Sequence, residues 1–257
     1  MITSSSNSQI KNMIQLKKKA KERSRQDVFL VEGVKMFREV PRERLQKVYV
    51  TPGFLEKPEH GKLLAGQDYE VVSEAVFESI SDTKTPQGVI CVVKQYHYRL
   101  EDLTVGAAPL CMALENLQDP GNLGTIFRTA EGAGVTGILL SRDCVDLYNP
   151  KVIRSTMGSV YRMPFCYVED FHGALRQWRE RGIGLYAAHL KGQRAYDRED
   201  YRSPSAFLIG NESQGLTEET ADLADHYIRI PMCGQVESLN AAVASAILMY
   251  EARRQRQ

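Results

Sequence analysis

The chain lacks any long hydrophobic run. Hydrophobic residues make up 43% and charged residues 25% of its 257 residues. This composition is ordinary for a globular protein, and no stretch approaches the roughly 18 apolar residues that span a bilayer. Residues 1–25 also lack the apolar segment and the cleavage site of a secretory signal. They are basic and Ser-rich, so an amphipathic transit peptide stays open at this point. We expect no membrane partner.

Cysteine is sparse and shows no pattern. The five cysteines are odd in number, widely spaced and without a CxxC pair, which disfavours both a disulfide framework and a zinc site. Three of them lie in apolar, strand-like runs that are typical of core cysteines: Cys91, Cys111 and Cys166. The five histidines are scattered without metal-ligand spacing. We therefore predict no metal and a reducing, cytoplasmic location.

Nucleotide-binding loops are missing as well. No GxxxxGK[ST] phosphate loop occurs, and the one GxGxxG match, at residues 132–137, stands in the wrong context. A dinucleotide fingerprint follows a strand and opens a helix, whereas here a predicted helix precedes the glycines and a predicted strand follows them. We interpret them as a helix C-cap and turn, which disfavours a dinucleotide cofactor.

Net charge is only +1, but basic residues are concentrated at the start of the chain. Residues 1–27 contain seven lysines and arginines against two acidic residues. Such an excess is typical of either a solvated helix face or a phosphate-binding patch, and charge alone leaves both open. The candidates for RNA contact are Lys11, Lys17, Lys18, Lys19, Arg23 and Arg25.

Hydrophobic patterning divides the chain into two α/β regions. Residues 1–95 begin with a helix predicted over residues 8–23 and continue as short strands alternating with helical segments, which indicates a small α/β domain. Residues 96–106 form a polar linker. In residues 107–257 the alternation is cleaner and predicts a mainly parallel sheet covered on both faces. Ligands bind beyond the carboxyl ends of such strands, so we expect chemistry in the loops after Glu115, Ile209 and Ile230.

The first two of these loops contain polar residues among glycines. Asp119-Pro120-Gly121 predicts a turn and Asn122 a helix N-cap. An Arg two turns into that helix, Arg128, would ordinarily be a surface residue. The second loop leaves an apolar strand directly as residues 210–215, with Glu212 between glycines. These glycines let backbone approach a ligand closely, although an ordinary turn explains them nearly as well.

The third loop runs from Ile230 to Asn240 and leads into a helix whose first turns carry small residues on nearly all sides. Ser238 is its predicted N-cap. Small residues permit close backbone approach, so we expect this helix to be buried against its own domain or a partner chain.

Together the three segments resemble the motifs of the SpoU (TrmH-type) RNA 2′-O-methyltransferases, which are Asn-x-Gly…Arg, Gly-x-Glu…Gly and Ile-Pro-Met…Ser-Leu-Asn. Order and spacing agree across residues 110–257. The N-terminal region resembles the ribosomal-protein-L30-like substrate-binding domain of some members, through its basic opening helix and residues 29–33 and 85–89. This second resemblance favours RNA contact for the basic patch and argues against a transit peptide.

The resemblance implies an α/β fold with a C-terminal trefoil knot, a homodimer and S-adenosyl-L-methionine as methyl donor. It divides the chain into an L30-like domain at 1–95 and a catalytic domain at 107–257. Ribosomal RNA is the favoured substrate because the extension resembles a ribosomal RNA binder, and transfer RNA is an alternative. A non-catalytic RNA-binding or ribosome-assembly factor on the same fold is the rival; loss of Arg128, Glu212 or Asn240 would mark it, and all three are present.

The resemblance also implies the roles of individual residues. Gly210, Ile230 and Leu239 would line the donor pocket, with Leu208 and Met232 nearby. The catalytic set would be Asn122, Arg128, Glu212, Ser238 and Asn240. Deprotonating a guanidinium at neutral pH costs roughly 9 kcal/mol, so we favour Arg128 as a cation that stabilises the developing alkoxide and binds the target phosphate. Glu212 would orient Arg128 or Asn122, while Ser238 and Asn240 would shape the pocket and hold the substrate.

Overall fold

The computed structural model describes residues 1–192 and 194–257, which form two compact units. The first unit consists of Met1–Tyr96 and Asp146–Tyr161, and the second of His97–Val145 and Arg162–Gln257. No helix among these described residues is long and apolar enough to cross a membrane.

The first unit is a small α/β unit. Its elements are α1 (Ser8–Lys18), α2 (Ala20–Gln26), β1 (Val28–Glu32), α3 (Val34–Glu39), β2 (Leu45–Val50), α4 (Pro52–Leu55), α5 (Pro58–Leu64), β3 (Tyr69–Val71), α6 (Glu74–Ile80) and β4 (Val89–Lys94). The four-stranded sheet has the order β1-β4-β2-β3, in which β4 is antiparallel to β1 and β2, and β2 is parallel to β3. Helices α1 and α6 cover one face and share a core with the sheet.

The second unit is built on a parallel sheet, as the sequence predicts. The elements from residue 110 onward are β5 (Leu110–Leu114), α7 (Pro120–Ala133), β6 (Gly137–Ser141), α8 (Pro150–Thr156), β7 (Phe165–Val168), α9 (Phe171–Glu180), β8 (Gly184–Ala188), β9 (Arg194–Ala195), β10 (Ser205–Ile209), α10 (Glu218–Ala221), β11 (His226–Arg229) and α11 (Ala241–Gln255). Within the described residues the sheet has seven strands in the order β7-β6-β5-β10-β8-β11-β9, and every pairing is parallel.

One helix of the C-terminal sequence, α8, packs in the first unit. Val152 and Ile153 on this helix are at most 1% exposed, and α8 lies against β1. Just before it, the Tyr148 hydroxyl accepts a hydrogen bond from the Tyr96 amide at 2.7 Å and donates one to the Tyr96 carbonyl at 3.2 Å. Residues 146–161 therefore depend on residues 1–96 for their packing.

The predicted linker is partly built into the second unit. Residues 100–103 form a short 3₁₀ helix, and Leu103 at its end is completely buried in the core of that unit. Its side chain approaches Gly137, where an added Cβ would lie only 2.5 Å from Leu103 Cβ. This stretch is therefore more than a polar connection.

The basic opening segment is two helices rather than the single predicted helix. The chain is extended at Lys19, with φ −121° and ψ 115°, which ends α1. Arg23 on α2 folds back and donates to the Leu16 carbonyl at 2.6 Å, so it satisfies a carbonyl that the last turn of α1 leaves without a helical partner.

Arg23 is also part of a mostly buried ion pair, which corrects its predicted role. Its side chain is 4% exposed, and its Nε lies 3.1 Å from Asp146 Oδ2. A guanidinium held in this way is not available to an RNA phosphate. Arg23 therefore stabilises the fold of the first unit and leaves the set of predicted RNA contacts.

The substitution Arg23→Met should lower the free energy of unfolding by about 2–4 kcal/mol, because it leaves the Asp146 carboxylate without its partner and the α1 carbonyl without a donor. The matched control is Arg25→Met, which removes an exposed pair with Glu22 and should cost less than about 1 kcal/mol. Urea unfolding of both variants measures the difference. Equal stability of the two variants would contradict the structural role.

Candidate active site

The carboxyl ends of four neighbouring strands meet at one edge of the second sheet. The register pairs Leu114 of β5 with Ile209 of β10, and the Glu115 amide donates to the Ile209 carbonyl at 2.8 Å. Strand β8 lies on the other side of β10, and β11 follows it. The three predicted loops therefore do leave the same edge of the sheet, as expected for parallel strands.

Glu212 ties the second loop to the first. Its carboxylate accepts hydrogen bonds from the amides of Gln118 at 3.0 Å and Asp119 at 2.8 Å, and from Asn122 Nδ2 at 3.1 Å. Partial burial raises the pKa of this carboxyl, but the hydrogen bonds from Gln118, Asn122 and Asp119 outweigh burial and hold the pKa below its ordinary value of 4.5. Glu212 is therefore an ionised acceptor at neutral pH.

Asn240 extends this network into the third loop. Its Oδ1 accepts from the amides of Ala242 at 2.9 Å and Val243 at 3.2 Å at the start of α11. Its Nδ2 must therefore face outward, and it donates to Asn122 Oδ1 at 2.8 Å. The Asn122 amide group is oriented in turn, with its Nδ2 toward Glu212. The relay Asn240–Asn122–Glu212 thus joins the three segments in one fixed polarity.

The helix caps differ from the sequence prediction. Asp119 rather than Asn122 caps α7, accepting from the Asn122 amide at 2.7 Å, and Pro120 is the first residue of the helix. Asn240 rather than Ser238 caps α11. Because the Asn122 side chain does not cap α7, it is available to the relay. The Asn240 side chain caps α11 through its oxygen and continues the relay through its NH₂ group.

A tight hairpin presents Glu212. The backbones of Asn211 and Gly215 form two hydrogen bonds of 3.0 and 2.8 Å, and a Cβ added at Gly210 would lie 2.0 Å from the Gly215 carbonyl carbon. Only glycine fits there. The Asn211 side chain supports the turn, accepting from the amides of Ser213 and Gln214 and donating to the Asn116 carbonyl at 2.8 Å. No pattern in the sequence indicates this role for Asn211.

An open cleft of about 450 Å³ lies over the relay. Four of the five predicted catalytic residues line it, together with one of the predicted donor-binding residues. Its lining consists of Asp119, Asn122, Glu212, Ser238, Leu239, Asn240 and Ala241.

Arg128 is the fifth predicted catalytic residue and stands apart from the relay. It lies on α7, six residues after Asn122, which is about 9 Å along the helix axis. Its side chain is exposed and has no hydrogen bond or ion pair with any described residue. Glu212 accordingly orients Asn122, not Arg128.

The remaining predicted donor-binding residues are spread over the strand ends. Leu208 is completely buried in the core, two residues before Gly210 on the same chain. Ile230 and Met232 are half-buried at the start of the third loop. A further loop, residues 189–192, leaves β8 between the second and third loops, which sequence reasoning missed because the order of strands in a sheet cannot be read along the chain.

The basic residues of the first unit differ in availability. Lys11, Lys18 and Lys19 are exposed. Lys17 is half-buried and donates to the Ser81 carbonyl, and Arg25 forms an exposed pair with Glu22. Among the described residues no group of three or more potential ligands that could hold a metal ion was found.

Comparison with known proteins matches both units of the chain. The family model described as "SpoU rRNA Methylase family" matches residues 109–250, and the model described as "MRM3-like substrate binding domain" matches residues 7–91. The 23S rRNA (guanosine(2553)-2′-O)-methyltransferase RlmP of Bacillus subtilis is 30% identical over 98% of both chains. The chain belongs to the SpoU rRNA methylase family.

Solved structures agree with this assignment. An AdoMet-bound rRNA methyltransferase from Sinorhizobium meliloti superposes with a TM-score of 0.86 and 32% identity, covering 100% of this chain and 98% of the other. The SpoU methyltransferase AviRb from Streptomyces viridochromogenes, in complex with AdoMet, gives a TM-score of 0.86 and 27% identity over 97% and 98%. The predicted family, α/β fold and methyltransferase class are confirmed, and both neighbours support S-adenosylmethionine as the cofactor.

The substitution Gly210→Ala should destabilise the second unit by about 2–4 kcal/mol, because the added Cβ would overlap backbone atoms of the hairpin that presents Glu212. Gly234→Ala is the matched control, since a Cβ at Gly234 has no atom within 4 Å, and it should change stability by less than about 0.5 kcal/mol. Thermal unfolding of the two variants compares them. A Gly210→Ala protein as stable as the control would show that the hairpin is not so constrained.

The substitution Glu212→Gln should destabilise the protein by about 1–3 kcal/mol at neutral pH, because a side-chain NH₂ would then face N–H donors. A carboxyl whose folded-state pKa is lowered stabilises the fold above its unfolded pKa of about 4.5, and loses that contribution as the pH falls through the folded pKa. The stability gap between wild type and variant should therefore be constant from pH 7 to 5 and narrow below about 4.5. Urea unfolding across this range tests it, and a pH-independent gap would argue against an ionised Glu212.

Proposed function

We propose that this protein uses S-adenosyl-L-methionine to methylate a ribose 2′-hydroxyl of RNA. The observation that carries the proposal is the relay Asn240–Asn122–Glu212, which brings the three family motifs to one cleft. Family membership supplies the reaction class, and the relay supports the proposal because it joins three of the residues expected to act in it: Asn122, Glu212 and Asn240.

The volume of the cleft suits a small-molecule donor such as S-adenosyl-L-methionine. This volume of about 450 Å³ falls within the range of small-molecule sites. The loops that begin at Gly210 and Ile230 would hold the donor, with Leu239 in the cleft wall, Leu208 in the core before the first of these loops and Met232 within the second. The donor supplies a sulfonium methyl group as the electrophile.

Arg128 is the residue that acts on the RNA. Its guanidinium is exposed and without a partner among the described residues, so it is available to a phosphate or to a developing alkoxide. The Arg128 cation would stabilise the negative charge that develops on the 2′-oxygen as that oxygen gives its proton to solvent and takes the donor methyl group, whose bond to sulfur breaks. Ser238 and Asn240, which line the cleft, would hold the ribose through polar contacts.

Ribosomal RNA is the substrate class we propose. RlmP of Bacillus subtilis is named as a 23S rRNA methyltransferase, and the neighbour from Sinorhizobium meliloti as an rRNA methyltransferase. The first unit matches a substrate-binding domain, and its exposed Lys11, Lys18 and Lys19 would contact RNA phosphates. The chain retains Arg128, Glu212 and Asn240, which disfavours a non-catalytic RNA-binding factor. A ribosomal RNA substrate is consistent with the predicted cytoplasmic location of the protein.

A homodimer with a knotted C-terminal region completes the proposal. Helices α7 and α11 pack together and leave small and apolar side chains exposed, including Val243 and Tyr250 at about half their full exposure. A second copy of the chain covering these residues would also approach Arg128 on the exposed side of α7. Sedimentation equilibrium measures this association.

Incubation with labelled S-adenosylmethionine and total RNA should label one RNA species, and mapping of the modified nucleotide should place the methyl group on a 2′-oxygen. Arg128→Ala should lower kcat by about 100-fold or more and Arg128→Lys by at least tenfold, with donor affinity unchanged, because a lysine cannot reproduce the guanidinium contacts. Near-full turnover by Arg128→Lys would refute a guanidinium-specific role. If only transfer RNA were labelled, transfer RNA would replace ribosomal RNA as the substrate class.

Replacing the exposed lysines 11, 18 and 19 together by Gln should weaken RNA binding and reduce the slope of log affinity against log salt by about 2–3, because each phosphate contact releases counterions. Donor affinity should stay the same. Filter binding from 50 to 250 mM KCl measures the slope. An unchanged slope would remove these lysines from the RNA-binding surface.

A further inference from the structure

A second carboxylate, that of Glu115, lies at the same strand edge and is not part of the relay. Glu115 follows β5 directly, is 8% exposed, and faces the chain that leaves the Glu212 hairpin. Its Oε2 accepts from the Thr217 amide at 2.8 Å, and its Oε1 from the Thr217 hydroxyl at 2.8 Å. The Thr220 hydroxyl donates to the same Oε1. Such a buried carboxylate is stable only because its acceptor positions are filled.

The two threonines also form the start of α10. The Thr217 hydroxyl accepts from the Thr220 amide at 3.2 Å and is the N-cap of this four-residue helix. Just before it, the Leu216 side chain is buried in the core of the second unit. Glu115 therefore fixes the downstream end of residues 210–217, which we call the donor loop.

Glu115 and Glu212 form reciprocal hydrogen bonds between the chain segments that follow strands β5 and β10. Glu115, at the end of β5, accepts from Thr217 in the donor loop. Glu212, in the donor loop, accepts from the Gln118 and Asp119 amides in the chain after β5. The donor loop is thus held at its middle by one carboxylate and at its end by the other. Removing Glu115 would free the end of the donor loop, while Glu212 and the Asn211 side chain would still hold its middle.

We propose that Glu115 is a positioning residue for methyl-donor binding, which it supports by holding the donor loop through Thr217 in its binding conformation. The inference rests on the proposed function, in which this loop contacts S-adenosylmethionine. When the loop is ordered in only a fraction of the molecules, the apparent affinity for the donor falls to that fraction of its intrinsic value. Glu115 therefore acts on donor affinity and leaves the chemical step to residues in the cleft.

Glu115→Ala should raise the KM for the donor about tenfold while kcat at saturating donor stays within about twofold of wild type. Glu115→Gln should recover most of the donor affinity, to within about threefold, because its amide oxygen can accept from the Thr217 amide while its NH₂ donates to the hydroxyls. Calorimetry with S-adenosylmethionine on the full chain gives the matching dissociation constants.

Thr217→Val keeps the shape of the side chain but removes its hydroxyl, so it tests the same contact if Glu115→Ala does not fold. It should raise the donor KM about three- to tenfold. Thr217→Ser retains the hydroxyl and should stay within about twofold of wild type. Glu219→Gln removes a charge from the same helix at a side chain that is 75% exposed, and it should leave the donor KM unchanged.

The inference is overturned if Glu115→Ala or, where that variant does not fold, Thr217→Val leaves the donor KM within twofold of wild type. It is equally overturned if kcat and RNA affinity fall by the same factor as donor affinity, since that pattern marks a general loss of folded protein. Failure of the proposed function gives a different result: the wild-type chain would bind no S-adenosylmethionine, or would bind it and transfer no methyl group to RNA.

Discussion

A carboxylate that accepts several N–H groups at once is the constraint on which the candidate site depends. Glu212 accepts from two consecutive backbone amides and from the Asn122 side chain. Hydrogen bonds to an ionised acceptor are about twice as strong as neutral ones, and each fixes a direction as well as a distance. Because Asn240 fixes the orientation of Asn122 from the other side, no member of the relay can turn without breaking a second bond.

The backbone makes this arrangement possible. Parallel pairing of β5 with β10 brings two loops that are about 90 residues apart in sequence to the same edge of the sheet. The absence of a side chain at Gly210 lets the hairpin close tightly enough to turn Glu212 back toward the first loop. The long third loop then reaches the cleft before α11 begins at Ala241. The sheet supplies position, and the polar side chains supply orientation.

Much of this site could be predicted from the sequence, because its residues occur in short motifs at strand ends. Asn122, Glu212 and Asn240 were identified in this way and do meet. The predicted N-caps of α7 and α11 were wrong. Asp119 and Asn240 lie close in sequence to the predicted caps, and the local turn geometry makes them the N-caps instead. Capping preference alone does not distinguish polar residues so close together.

Contacts between distant residues explain the other misses. Arg23 has the pattern of a surface cation, and only the fold shows that Asp146 pairs with it. Nothing local to α8 indicates that it packs on β1 in the first unit. In the sequence Glu115 has the pattern of an ordinary strand end, and only the fold shows that Thr217 lies beside it. In each case the partner lies more than 100 residues away in sequence, or the packing surface belongs to another part of the chain.

The most direct test of the central role of Glu212 is amide hydrogen exchange at Gln118 and Asp119, measured by NMR in the donor-free protein. Both amides lie in an exposed loop and donate to Glu212. We expect slow exchange at both amides in wild type and fast exchange in Glu212→Gln, while the amides of β5 stay protected in both proteins. Equal exchange rates at Gln118 and Asp119 in the two proteins would contradict this expectation.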